Sequence, residues 1–404
     1  MIKQILKAIS ILFCIYSADL MAINVDSRLN GYFTIGAATT SANDPQKYLA
    51  IISDEKIDLD YNSLLGLQGV LKVNDFSLIS QIVVSGEDDW DVNEESWKWF
   101  YLNYDFNDKY SVKVGRFLND VFFMSRYKYV GYAYPWIRPP RELYSQAAYD
   151  DITGIGFQYD DCFESFNITL HAAYTSDNRD VGLLNWKKKE KIINVSITDK
   201  DDTLELRLGY SRSKGSYNKR EVLEPYYSDI LVRMGYPRFL ADMAANTIVS
   251  EDWFDADNIK SQFYSIGFRY EDHNILILGE YAENKTTDMS PSPSGYYITF
   301  GYQFDKIQPH ITFSQGDHKD MYDKYFKAKN PVNEGFNELL VNTVYNLGYG
   351  FEQKRITYGL RYDPIRNLAV KAEIHKIYAN GGRGYFTLPM DREYLYMLAV
   401  TYMF

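Results

Sequence analysis

The densest grouping of chemistry-bearing side chains lies between residues 119 and 150. Arg126, Lys128, Arg138 and Arg141 stand there against Asp120, Glu142 and Asp150, among nine aromatic residues in 32 positions. Charges of both signs so close together carry out no covalent chemistry by themselves. Enclosed in a narrow, low-dielectric space, they would focus field lines and sort small ions by sign. Nine rings are more than a solvated loop needs, so the segment is expected to be buried. Pro135, Pro139 and Pro140 fix φ and remove donors, which stiffens it. Covalent catalysis finds no comparable grouping. His171, His273, His310, His318 and His375 are scattered singly, without cysteine partners or metal-ligand spacing. There is no glycine-rich phosphate cradle and no serine-elbow motif. No catalytic residue, metal or cofactor is expected, and the chain is not read as an enzyme.

Elements must position those charges, and the ends of the chain narrow which elements they are. Lys3 and Lys7, an apolar run over 8–15, and Leu20-Met21-Ala22 read as a secretory signal peptide over 1–22, with the functional domain over 23–404. No later apolar stretch reaches the roughly 18 residues of a membrane helix. The chain has 37 Tyr, 23 Phe and 6 Trp, yet its mean hydropathy is −0.36. Transmembrane barrels combine these properties, because lipid-facing and lumen-facing residues alternate and aromatic girdles ring both interfaces. The formal charge of −11 becomes −12 without Lys3, Lys7 and Asp19, which argues against a nucleic-acid partner. Cys162 is the one cysteine beyond the leader, so no internal disulfide is expected.

Sixteen segments have strand composition: 27–37, 60–74, 76–86, 96–106, 110–118, 151–160, 165–176, 188–199, 202–213, 260–271, 273–284, 294–304, 307–316, 354–363, 367–377 and 393–404. A tilted strand of about 9–11 residues crosses a bilayer. The even-numbered segments are followed by tight turns such as Asn74-Asp75, Asp199-Lys200-Asp201 and Asp305-Lys306. The odd-numbered ones lead into 38–59, 87–95, 119–150, 177–187, 214–259, 285–293, 317–353 and 378–392. Short and long connections therefore alternate, as in an antiparallel barrel with short periplasmic turns and long extracellular loops. Within 367–377, Leu368, Val370, Ala372 and Ile374 oppose Lys371, Glu373 and His375. The apolar face must meet lipid and the polar face water, and the sheet must close, since an open edge in hydrocarbon leaves backbone groups unpaired. Segments 273–284 and 393–404 are apolar on both faces, which leaves open contact with a neighbouring subunit or with an infolded loop.

Leu65-Gly66-Leu67-Gln68-Gly69, Val112-Lys113-Val114-Gly115-Arg116, Tyr358-Gly359-Leu360-Arg361-Tyr362-Asp363 and the segment 129–140 resemble the Gram-negative outer-membrane porin family, its γ-proteobacterial subgroup in particular. The resemblance implies an all-β, sixteen-stranded transmembrane barrel, usually a homotrimer, that forms a water-filled channel for small hydrophilic solutes and ions. It also implies that 119–150 is the third extracellular loop, folded into the lumen as the constriction. The terminal Tyr402 and Phe404 look like the membrane-insertion signal read by the barrel assembly machinery. Lys113, Arg207, Arg269, Arg361, Lys371 and Glu373 fall on the pore wall, a mixture that suits a transverse field better than a ladder for one solute. Two readings of the loop cations stay open: a slight anion preference, or pairing with Glu142 and wall carboxylates. The six carboxylates of 87–95 either bridge lipopolysaccharide phosphates through divalent ions or form a solvated rim. The outer membrane is the expected location, with its lipid and lipopolysaccharide as partners. A substrate-specific channel for anions, carboxylates or sugars, and a plugged receptor or adhesion barrel, are the alternatives.

Overall fold

The period-two segments become sixteen antiparallel strands that close on themselves. They are β1 (Val25–Thr40), β2 (Leu64–Val73), β3 (Phe76–Ser85), β4 (Trp97–Asp105), β5 (Tyr110–Leu118), β6 (Asp151–Cys162), β7 (Phe166–Val181), β8 (Leu184–Asp199), β9 (Leu204–Tyr217), β10 (Ile259–Asp272), β11 (Ile275–Thr286), β12 (Ser294–Tyr302), β13 (Ile307–Asp317), β14 (Glu352–Ile365), β15 (Leu368–Ala379) and β16 (Arg392–Met403). The structure is a computed structural model that describes residues 25–42, 48–49, 52, 56–88, 92–93, 96–146, 150–181, 184–217, 220–233, 235–250, 259–286, 292–317, 352–379, 384–386 and 391–404. The predicted leader over 1–22, most of the 317–353 connection and much of 87–95 lie outside the described residues. Each strand pairs with its sequence neighbours, and β1 closes the ring against β16, with Tyr32 opposite both Gly66 and Met403.

The short turns owe their shape to residues that tolerate left-handed backbone. Asn74, Asp202, Asn274, Asp305 and Asn367 all have φ between 50° and 67°, where Asn and Asp are several-fold enriched. On the outer face, Leu65, Leu102, Val114, Ile155, Leu208, Ile266, Leu360, Val370 and Leu398 stand exposed in a continuous apolar belt. Near the short-turn rim, ring pairs such as Phe76–Tyr104, Tyr110–Tyr159, Phe163–Phe166, Tyr302–Phe304 and Tyr402–Phe404 form a girdle. Leu208→Arg, in the middle of that belt, is expected to lower barrel stability by about 2–4 kcal/mol. Urea unfolding of the barrel in lipid vesicles reads that loss directly.

One connection differs markedly from the sequence reading. The connection expected over 177–187 is mostly strand, because β7 and β8 keep pairing from Phe166–Asp199 up to Val181–Leu184. Its polar residues gave no apolar period to read, yet backbone pairing continues beyond the belt. The longest connection holds two helices, α1 (Arg220–Arg233) and α2 (Arg238–Ser250), joined where Leu231, Ala241 and Ala244 pack together.

Candidate functional site

After Leu118 the chain turns into the barrel and follows the inner wall for more than half its circumference. The anchors come in order. The main-chain oxygen of Asp120 accepts from Asn194 on β8 and Arg207 on β9, at 2.5 and 2.8 Å, and the Asp120 carboxylate pairs with Arg207 at 2.7 Å and Arg126 at 3.0 Å. The Phe123 N–H and the Tyr144 hydroxyl both donate to Glu280 on β11, at 2.7 Å. Trp136 Nε1 donates to Thr312 on β13 at 2.8 Å. Lys371 on β15 donates to the carbonyl oxygens of Gly131, Tyr134 and Trp136, and the Ile137 N–H donates to Glu373 at 2.9 Å. Glu142 is clasped by Arg355 at 2.9 Å, Ser314 at 2.9 Å and Gln353, while Arg355 also donates to the Tyr48 hydroxyl at 2.6 Å. Charges can be buried this deeply because each meets an opposite charge or several hydrogen-bond partners.

Apolar packing fills the space between these anchors. Phe122, Phe123, Met124, Trp136 and Leu143 of the loop meet Phe263, Leu276, Leu278, Ala282 and Tyr297 of the wall. A second cluster joins Tyr48, Ile52, Ile137 and Phe386 to Leu395, Met397 and Ala399 of β16. The doubly apolar segments 273–284 and 393–404 are thus explained by infolded loops, which cover their inner faces.

On the other side, against β1 to β7, two cavities remain between the loop and the wall among the described residues. A cavity of about 400 Å³ lies between the loop and β1–β4, bordered by Lys98, Lys128, Tyr129, Arg138, Arg141, Glu87 and Asp150. A second, of about 280 Å³, lies against β4–β7, bordered by Trp99, Tyr101, Lys113, Phe117, Arg126 and His171. The acids along this passage are ion-paired: Glu87 with Arg138, Asp120 with Arg126 and Arg207, and Asp150 with Lys128. Lys98, Lys113 and Arg141 form no direct ion pair among the described residues and lie over rings instead. Lys98 is 5.6 Å from the Tyr129 centroid, Lys113 is 4.7 Å from Phe117, and Arg141 is 5.4 Å from Tyr385.

The sequence-predicted residues therefore part company. Arg126, Lys128, Arg138, Arg141, Asp120 and Lys113 come together on the passage. Glu142 of the loop and Arg207, Lys371 and Glu373 of the wall are buried between the two and hold the loop in place. Arg361 pairs with Asp363 at 2.9 Å and reaches the Tyr134 carbonyl. Arg269 sits at the short-turn rim with Asp202 and Glu271. Tyr402 and Phe404 stack on the outer face at 6.2 Å, where β16 meets β1. Lys98, Arg355 and Tyr48 escaped the sequence reading. Lys98 turns inward because a register shift against β3, between Gln81 and Ile82, breaks the alternation of β4.

Burial alone would raise the Asp120 carboxyl, but Arg207 and then Arg126 hold it well below the usual carboxylate range. A depressed carboxyl stabilises the fold above its unfolded pKa, about 3.9, and that contribution is lost as pH falls towards the folded value. Barrel melting is therefore expected to be level from pH 7 to about 4.5 and to drop below that. Asp120→Asn should lower the neutral-pH value and flatten the acid limb, as followed by heat-induced loss of the folded band at each pH.

Solved structures share this architecture. The trimer form of OmpT, an outer membrane protein of Vibrio cholerae, matches with TM-score 0.56 and 11% identity over 94% of this chain and 99% of that one. OmpF of Salmonella typhi, in complex with daunomycin, matches with TM-score 0.56 and 14% identity over 94% and 97%. The anion-selective porin from Comamonas acidovorans matches with TM-score 0.53 and 12% identity over 94% and 100%. No protein-family model matches the sequence, and no curated protein matches it. The chain has the closed barrel fold of the outer-membrane porins.

Proposed function

We propose that this barrel of the porin fold is a passive, water-filled channel of the Gram-negative outer membrane, admitting small hydrophilic solutes with a preference for anions. The observation that carries the reading is the charge balance of the two cavities, where the lining acids among the described residues are ion-paired while Lys98, Lys113 and Arg141 form no direct ion pair. In a constriction walled by low-dielectric protein, such cations outweigh many charges at the rim. Lipid and lipopolysaccharide would contact the apolar belt and its girdle. The assembled unit is a homotrimer, by analogy with the trimer form of OmpT. The assembly machinery would read Tyr402 and Phe404. The channel performs no covalent chemistry and needs no cofactor.

Conductance in a planar bilayer under a salt gradient tests the reading. Openings in groups of three equal steps, with a reversal potential on the anion side, are expected. A folded, heat-modifiable barrel that passes no current would overturn it in favour of a plugged receptor or adhesion barrel.

A further inference from the structure

Against the wall of β4–β7 lies the 280 Å³ recess. Two of its polar groups, His171 and Lys113, have no hydrogen-bond or ion-pair partner among the described residues. His171 is 1% exposed, and neither of its ring nitrogens meets a hydrogen-bond partner among the described residues. Lys113 makes no ion pair there, lying 4.7 Å from the Phe117 centroid and 6.0 Å from that of Tyr101. A Cβ on Gly156 would stand 2.7 Å from Lys113 Cε and 3.3 Å from His171 Nε2, so it is the lack of a side chain at 156 that lets the Lys113 stem lie beside the imidazole. Asp120 also borders the recess, but its carboxylate is committed to Arg207 and Arg126. Above the two donors stand the half-buried rings of Trp99 and Tyr101, with Phe117 behind them.

A buried donor without a partner costs about 1–3 kcal/mol, and such groups in a native protein call for a water or a ligand to satisfy them. An ionised acceptor does so more strongly than water, because charge-assisted hydrogen bonds are about twice as strong as neutral ones. We propose that this recess is a binding subsite for small aromatic carboxylates, the carboxylate meeting Lys113 and the His171 N–H and the ring lying against Trp99 and Tyr101. Aromatic pairs favour offset or edge-on contacts, which Trp99 and Tyr101 would supply to a ligand ring. This inference rests on the reading of an open lumen and gives the channel one saturable step, not a ladder.

The test is the block of single-channel current by benzoate, compared with acetate and benzylammonium at equal ionic strength. Benzoate is expected to reduce the current saturably, with half-block at least about tenfold below that of acetate (~1.4 kcal/mol). Benzylammonium should have no such effect. Lys113→Met should weaken the benzoate block by about tenfold or more, while Lys113→Arg, which keeps the cation, should retain most of it. Equal block by benzoate and acetate, or an unchanged block in Lys113→Met, would overturn the proposal while leaving the channel intact. If the barrel passes no current, calorimetric titration of the folded protein in detergent decides the matter separately. Benzoate heat that disappears in Lys113→Met supports the subsite, and its absence from the parent protein rejects it.

Discussion

Arg355→Ala should release the infolded segment 119–150 and raise the conductance of each channel unit, with noisy sub-states in place of one steady level. Arg355 is 6% exposed and Glu142 1%. Truncating the arginine leaves a buried carboxylate with Ser314 and Gln353 as its side-chain donors among the described residues. Removing one partner of a buried pair costs about 3–5 kcal/mol. The wall strands keep their ladder bonds, so the loss falls on the docking of the loop, not on the barrel. Tyr48 loses its partner in the same step, which loosens the first loop as well. The measurement is paired: single-channel recording for the noise, and limited proteolysis for new cleavage between residues 119 and 150. A variant with parental conductance and an uncut loop would mean that Glu280, Lys371 and the apolar contacts hold the segment unaided. Glu142→Gln with Arg355→Met, which removes both charges together, should recover most of the docking.

Lys98→Glu combined with Arg141→Glu is expected to move the reversal potential from the anion side to the cation side. The two substitutions change the charge of the passage by four while touching none of the ion pairs that anchor the loop. One charge acts on an ion roughly 4–8 Å away with about 2–4 kcal/mol at an effective dielectric near 20. Salt screens this within about 10 Å at 0.1 M, so the shift should be largest in dilute salt and shrink towards 1 M. Substituting Lys72 and Lys109, which pair with acids near the short-turn rim, should move the potential far less. A double variant that stays anion-selective would place the selectivity elsewhere in the molecule.

Much of the architecture was legible because it follows from simple constraints. Lipid outside and water inside impose period two, and a closed ring imposes an even alternation of connections. The turns could be read because Asn and Asp are suited to the positive φ that Asn74, Asp305 and Asn367 adopt. Legibility failed where one position answers to two neighbours at once. The register shift at Gln81 and Ile82 swings Lys98 inward, and no local pattern announces it. Glu142 reads as a loop charge in sequence, yet its role is set by Arg355, more than two hundred residues away, and by Ser314. Likewise, Leu276 and Leu278 look misplaced on an inner wall until Phe122 and Phe123 are laid over them. Pairing between distant residues decided which cations of the loop stay available. Arg126, Lys128 and Arg138 are neutralised, and Arg141 is not.

The one-sided course of the infolded loop divides the inner wall into two regimes of substitution. Along β8–β15 an inward residue such as Leu278 or Tyr297 is boxed in by protein, so a change of volume there should be penalised as in the interior of a soluble enzyme. Inward residues such as Gln68 of β2 and Asn103 of β4 are only half-buried, and polar exchanges at such positions should be nearly neutral for folding. New permeation properties can therefore arise by drift on one flank without renegotiating the other. Homologous channels should accordingly differ most in the inward residues of their first seven strands.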